Sequence, residues 1–344
     1  MPTDIFSSID HYQEAFTTGL ERLLDSDKLG AFILVLANAA YDERLHQHLE
    51  ERLRQRYEEH ALALVEELRR GCGSLHAEDD LVVFLKLMAL GLDNLEPARH
   101  RKVGPWELQY NQLRAFRPSR MSRARVETLY APFDEQGFHF NKPFLRDELI
   151  WEGELLGHPG RLYYNKFPFA PLHALLVLDP ERNRPQFLDA ATHELAWQLL
   201  ERIGGHLPFT GLGYNARGAY SSINHLHLQL YSGKVGGYPV EDARWRHNGG
   251  TQAWPLPVER HQDPEASWKR IEELHAGNIT YNLLYRPGLV YIVPRAMQGS
   301  YEHDAWTSGF AWAELAGAVT TSCKRDFEAL GAGEIDAEMR KLVP

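Results

Sequence analysis

Hydrophobic positions recur at two periods along this chain, and the change comes near residue 105. Tyr41, Leu45, Leu49, Leu53, Tyr57 and Ala61 repeat every four residues, continued by Leu64, Val65 and Leu68, with Arg and Glu between them. That spacing predicts an amphipathic helix, stopped by Gly71-Cys72-Gly73-Ser74. A second helix is predicted over 81–92, and residues 1–100 as a whole read as helical. His46, His48 and His60 lie on the first helix without the i, i+4 pair and adjacent glutamate of a zinc site, so a solvated face is expected. Arg99-His100-Arg101-Lys102 marks a boundary. The predicted division is a helical segment, 1–104, and a second unit, 105–344, whose later half from about residue 250 completes the same unit.

From Trp106 the period shortens to two. Strands are predicted at 106–111, 126–130, 161–169 and 172–178, a helix at 192–203 closed by Gly204-Gly205, and a hairpin at 279–285 and 289–293 around Arg286-Pro287-Gly288. Residues 310–319 are apolar and ambiguous, 324–330 and 334–342 read as terminal helices, and 232–277 have no clear period. The strongest alternation is Ile223-Asn224-His225-Leu226-His227-Leu228-Gln229-Leu230-Tyr231. It predicts a half-buried strand over 223–231, with the leucines inward and two imidazoles and an amide on the other face. Two surface histidines on an edge strand is the plainer reading. Against it stands the glycine-rich approach from Gly211 to Tyr220, which predicts a loop that turns N–H groups toward an anion.

Charge sharpens this picture. The 344 residues carry a net charge of −10, which excludes a surface built for nucleic acid. An anionic substrate must therefore meet a local basic cluster. Arg114, Arg117 and Arg120 form one, suited equally to solubility or to phosphate. Cys72 and Cys323 allow no disulfide framework or four-cysteine metal site and read as reduced thiols of a cytoplasmic protein. No signal peptide, membrane span, internal repeat or low-complexity tract is evident.

His-Leu-His-Leu-Gln at 225–229 resembles the active-site motif of the histidine-triad nucleotidyltransferases, the group of galactose-1-phosphate uridylyltransferase and diadenosine tetraphosphate phosphorylase. In that branch glutamine replaces the third histidine. Leu212-Gly213-Tyr214-Asn215, Gly218-Ala219 and Ile223-Asn224-His225-Leu226-His227 together look like the signature of the GDP-L-galactose and GDP-D-glucose phosphorylase family. Pro132-Phe133-Asp134 with Phe138-His139-Phe140, Asn111-x-x-Arg114 with Arg117-Pro118, and Thr280-Tyr281-Asn282 with Tyr291-Ile292-Val293-Pro294 are similar to further motifs of that family. Asn165-Lys166-Phe167-Pro168 before His173 is closer to the diadenosine tetraphosphate phosphorylase side, which leaves base and sugar open.

The resemblance implies an α+β fold of the histidine-triad or uridylyltransferase-like kind, with an antiparallel sheet flanked by helices after an N-terminal helical segment. It implies phosphorolysis of a nucleotide sugar, GDP-hexose plus phosphate giving GDP plus hexose 1-phosphate, with inorganic phosphate as co-substrate and no cofactor. His227 maps to the nucleophile and His225 to the group that fixes its tautomer and position. Gln229 maps to a donor toward phosphate oxygen that cannot act as a general acid. Asn111, Arg114, Arg120, Asn165, Lys166, His173, Asn215, Gly218, Ser221 and Ser222 map to substrate binding. A neutral imidazole, with an ordinary pKa of about 6.5, is a competent nucleophile. A sugar 1-phosphate leaves without a proton, so glutamine favours transfer between phosphates over hydrolysis. The rivals are a dinucleoside polyphosphate phosphorylase or another nucleotidyltransferase, and a silent nucleotide-binding regulator, which would not need an intact His225, His227 and Gln229. Residues 1–100 hold no catalytic constellation and read as a packing cover or a homodimer surface.

Overall fold

The computed structural model describes residues 5–71, 78–117 and 125–344. Arg120 and Cys72 lie outside the described residues. Four helices come first: α1 (Ile9–Leu23), α2 (Leu29–Tyr41), α3 (Glu43–Arg69) and α4 (Glu78–Leu90). Asp42 caps α3, accepting from the N–H groups of Arg44 and Leu45, and satisfies donors that a helix start leaves free. The stripe on α3 buries Leu45, Leu49, Leu53 and Leu64, whereas Leu68 is exposed. His60 departs from the solvated face expected for it. It is buried against the rings of Phe32 and Phe84, because the helical period places it on the same side as Leu53 and Leu64.

Two sheets follow. The smaller contains β1 (Arg99–Val103), β2 (Trp106–Tyr110) and, far along the chain, β11 (Ala318–Thr321), in the order β1-β2-β11. A short α5 (Gln112–Ala115) follows β2, capped by Asn111. The larger sheet is wholly antiparallel. Its strands are β3 (Leu149–Leu155), β4 (His158–Tyr164), β5 (Ala174–Leu178), β6 (Gly211–Asn215), β7 (Leu228–Tyr231), β8 (Glu259–His261), β9 (Thr280–Arg286) and β10 (Leu289–Arg295), in the order β3-β4-β5-β7-β6-β9-β10-β8. Helices α6 (Ala190–Ile203), α7 (Pro264–Ala276), α8 (Trp312–Leu315), α9 (Lys324–Ala329) and α10 (Ala332–Arg340) complete the chain. The architecture is the expected α+β one, an antiparallel sheet flanked by helices.

Period two explains the two faces of the large sheet. Leu162, Tyr164, Ala174, Leu176, Leu212, Tyr214, Leu228, Leu230, Leu283 and Tyr285 point one way and share a continuous core with α1 to α4 and α6. Within that core α2 is buried on almost every side, as a helix apolar all round must be. The opposite face carries Tyr231, Leu284, Tyr291 and Val293, covered by Trp106 and Leu108 of β2, Trp312 of α8, Val319 of β11 and Ile335 of α10. A smaller apolar patch, Phe140, Leu145, Tyr163 and Val177, lies apart from it.

Three predicted elements change. Residues 126–130 form no strand; Leu129 N–H is instead bound by the Asn278 side chain. The strand predicted at 223–231 is regular only over Leu228–Tyr231. The glycine-rich stretch is a loop only from Ala216 onward, since Gly211–Asn215 is β6 itself, paired with β7 on one side and β9 on the other. Among the described residues no helix is long and apolar enough to cross a membrane.

Candidate active site

His227 sits just before β7, where the strand has lost its ladder. Both faces of the alternating stretch are packed: Leu226, Leu228 and Leu230 are buried, and so are His225 at 1% exposure and His227 at 5%. A half-buried strand would leave the polar face open. Phe133 and Phe140 close it instead, with ring centroids 5.2 and 5.6 Å from His225, and Phe140 5.2 Å from His227.

Hydrogen bonds fix the protonation of each imidazole. His227 Nδ1 lies 2.7 Å from the carbonyl oxygen of His225. A carbonyl only accepts, so Nδ1 carries the proton and Nε2 keeps the lone pair. Nε2 has no hydrogen-bond partner among the described residues. His225 is the reverse. Its Nδ1 accepts from the Phe140 N–H at 3.2 Å, leaving its proton on Nε2. The His225 imidazole therefore does not set the tautomer of His227, as the resemblance implied; its backbone carbonyl does. Burial pushes both imidazoles down to about 4, so both are neutral near pH 7.

Gln229 is turned by its neighbours. Its Oε1 accepts from the indole Nε1–H of Trp312 at 2.8 Å and from His173 Nε2 at 3.1 Å. Phe169 N–H donates to His173 Nδ1 at 3.4 Å, which puts the His173 proton on Nε2. Burial holds His173 down to about 3, so it stays a neutral donor. With the oxygen of Gln229 doubly occupied, its NH₂ remains as the group to meet an anion. Trp312 reaches Gln229 because Gly213 lies beneath the indole; a Cβ there would overlap the ring. No periodicity in 310–319 marks Trp312 as a site residue.

The other expected site residues divide. Asn165 lies 3.3 Å from His173 Nε2 through its Nδ2, and its Oδ1 accepts from the Phe167 N–H. Arg114 is near the same group: its Nη1 donates to the Phe167 carbonyl at 2.8 Å and its guanidinium lies 4.8 Å from the centre of the Phe169 ring. Burial lowers its pKa, and the buried carboxyl of Glu314 offsets part of that. Asn111 caps α5 through Oδ1, and its buried Nδ2 has no partner among the described residues. Lys166 turns away from this group, to Asp80 of α4 at 2.5 Å. Asn215 is buried as a brace: its Oδ1 accepts from Asn282 Nδ2 and the Trp312 N–H. Gly218 is a turn residue with φ +83°. Ser221 Oγ donates to the Ile223 carbonyl, and Ser222 is exposed. Arg117 is exposed beside Phe167. Among the described residues no group of three or more His, Cys, Asp or Glu side chains converges as a metal site would.

Three comparisons bear on this arrangement. Residues 106–231 match the family described as GDPGP1-like, N-terminal domain. GDP-L-galactose phosphorylase 2 of Arabidopsis thaliana is 28% identical over 143 residues, which is 36% of this chain and 32% of that protein. The match thus spans about a third of that relative's length. Among solved structures, yeast Ap4A phosphorylase Apa2 in complex with Ap4A superposes with a TM-score of 0.51 at 15% identity, over 79% of this chain and 100% of that one. The same enzyme in a second structure gives 0.52 at 14%, over 79% and 97%. These two share the fold. The stretch that matches the GDPGP1-like N-terminal domain, residues 106–231, holds His173, His225, His227 and Gln229.

Proposed function

We propose that the chain is a nucleotide-sugar phosphorylase that works through a covalent nucleotidyl group on His227. One observation carries this: a neutral, buried imidazole with Nδ1 tied to a carbonyl, two residues before an amide whose oxygen is occupied, with neither the imidazole Nε2 nor the amide NH₂ bonded to another group among the described residues. Nε2 attacks the α-phosphorus of GDP-hexose, and the bond from that phosphorus to the bridging oxygen breaks. Hexose 1-phosphate leaves as an anion. An oxygen of inorganic phosphate then attacks the same phosphorus, the P–N bond breaks, and GDP departs. Gln229 NH₂ donates to a non-bridging oxygen in both steps, where charge spreads. Arg114 supplies positive charge nearby.

The runner-up substrate is a dinucleoside polyphosphate. Asn165-Lys166-Phe167-Pro168 favours it, since these residues resemble that branch, though Lys166 is engaged by Asp80. Phosphorolysis measured across GDP-, ADP- and UDP-sugars and diadenosine tetraphosphate separates the two. Release of GDP and hexose 1-phosphate, fastest with a GDP-hexose, is the expected result. Turnover of diadenosine tetraphosphate alone would replace the substrate, and no turnover of any would remove the activity.

A further inference from the structure

The pairing of β6 with β7 ends at Gly213 and Gln229, two residues short of His227. Beyond that point the side-chain amide of Gln186 stands in for a neighbouring strand. Its Oε1 accepts from the His227 N–H at 2.9 Å. Its Nε2 donates to the carbonyls of His227 at 3.1 Å and Asn215 at 3.0 Å. Gln186 is 2% exposed and lies in the irregular segment between β5 and α6. That segment is itself tied to the histidine stretch: the Gln186 N–H donates to Asn224 Oδ1 at 3.0 Å, and the Leu226 N–H to the Arg184 carbonyl at 2.8 Å. One buried amide therefore serves three backbone groups that would otherwise be unpaired. It does so because it accepts and donates at once without charge.

We infer that Gln186 is a positioning residue for nucleotidyl transfer, an inference that rests on His227 being the nucleophile. The His227 ring is tied through Nδ1 to the backbone of His225, so Nε2 points where the backbone directs it. The backbone at His227 is directed in turn by Gln186 rather than by a ladder. Displacement transfer is sensitive to such placement, and a misplacement of about 1 Å can cost on the order of a hundredfold in rate.

Two variants test this, with the rate of nucleotidyl transfer to His227 measured per folded molecule in a single turnover. Gln186→Met keeps the length and removes all three hydrogen bonds; it is expected to slow the transfer by about ten- to a hundredfold with nucleotide-sugar affinity unchanged. Gln186→Glu gives a distinct signature. A protonated carboxyl accepts from the His227 N–H and donates its single proton to one of the two carbonyls, whereas a carboxylate facing two carbonyls cannot donate. Its transfer rate should approach wild type at low pH and fall as pH rises through the pKa of the new carboxyl, a limb absent from wild type and from Gln186→Met. Equal rates in all three proteins, a change in affinity alone, or loss of the fold in both variants would each overturn the inference, since the role assigned is to the rate. A fully active His227→Asn would instead overturn the reading on which it rests, so the two failures are distinct.

Discussion

The Nδ1–H of His227 donates to the carbonyl of His225 at 2.7 Å, and that single bond decides which nitrogen is available for chemistry. It is made by backbone, so it survives replacement of the His225 side chain. What the His225 imidazole adds is an acceptor for the Phe140 N–H and packing against Phe133. His225→Asn is therefore expected to lower turnover by about ten- to a hundredfold, as loss of an orienting neighbour does, while His227 still takes the label. Labelling shifted to another residue would contradict this.

Trp312 offers a second test. Trp312→Phe keeps most of the packing on Gly213 and removes one of the two donors to Gln229 Oε1. The loss of stability should be about 1 kcal/mol. With the amide less firmly oriented, turnover should fall on the order of tenfold, less than when a transition-state donor is removed outright. Unchanged turnover would mean that His173 alone orients Gln229.

Gln229→His supplies a proton donor where the amide has none. It should raise hydrolysis relative to phosphorolysis, because an imidazole can take the proton of an attacking water as a general base and protonate a poorer leaving group as a general acid. The ratio of nucleoside monophosphate to nucleoside diphosphate released reports this directly. An unchanged ratio would sever the link between the amide and transfer.

Acid should destabilise the protein over a definite window. His173, His225 and His227 are held down to between about 3 and about 4 by burial, whereas the unfolded chain takes up protons at about 6.5. Above that pH both states are neutral and these groups contribute no slope. As pH falls from about 6.5 toward about 4, the unfolded state binds protons that the folded state does not, so stability declines, by up to about 1.4 kcal/mol per pH unit for each histidine. Denaturant unfolding followed from about pH 7 to about pH 4 checks the sign. A stability that rose on acidification would contradict the burial argument.

Much of this is legible in the sequence, and the exceptions share a cause. The four-residue stripe on α3, the hairpin of β9 and β10, and the alternation into β7 are local patterns, and the structure follows them. The candidate trio stands out because His225, His227 and Gln229 alternate with Leu. Trp312 and Gln186 do not stand out, because they act through long-range bonds, the Trp312 indole to a partner 83 residues distant and the Gln186 amide to partners 41 and 29 residues distant, and no period encodes that. Gly211–Asn215 reads as a loop by composition; its glycines instead admit large neighbours, Trp312 over Gly213 among them. Helix α7 is hidden amid Gly, Pro and Trp, although Asp263 accepting from the Ala266 N–H, followed by Pro264, is a legible start signal.

The helical segment is less separate than its composition suggests, since the boundary predicted at 104 falls within β1–β2, which the structure joins into one hairpin. Tyr164 OH donates to the Phe16 carbonyl at 2.5 Å, and Asn38 Nδ2 to the Asn165 carbonyl at 3.2 Å. Phe32, Leu34 and Leu36 share the core with Leu162 and Leu176. Residues 105–344 expressed alone should therefore fail to fold cooperatively, because removing the helices exposes one face of the large sheet. A cooperative thermal transition and native-like turnover of that fragment would make the helices a separate unit.

The most direct measurement is the site of the covalent group. Incubated with a radiolabelled GDP-hexose and no phosphate, the protein should acquire a nucleotidyl group on His227 that is labile in acid and stable in base, and added phosphate should discharge it as GDP. His227→Asn should lose the adduct and nearly all turnover. A label on His225, or on no histidine while phosphorolysis proceeds, would contradict the account.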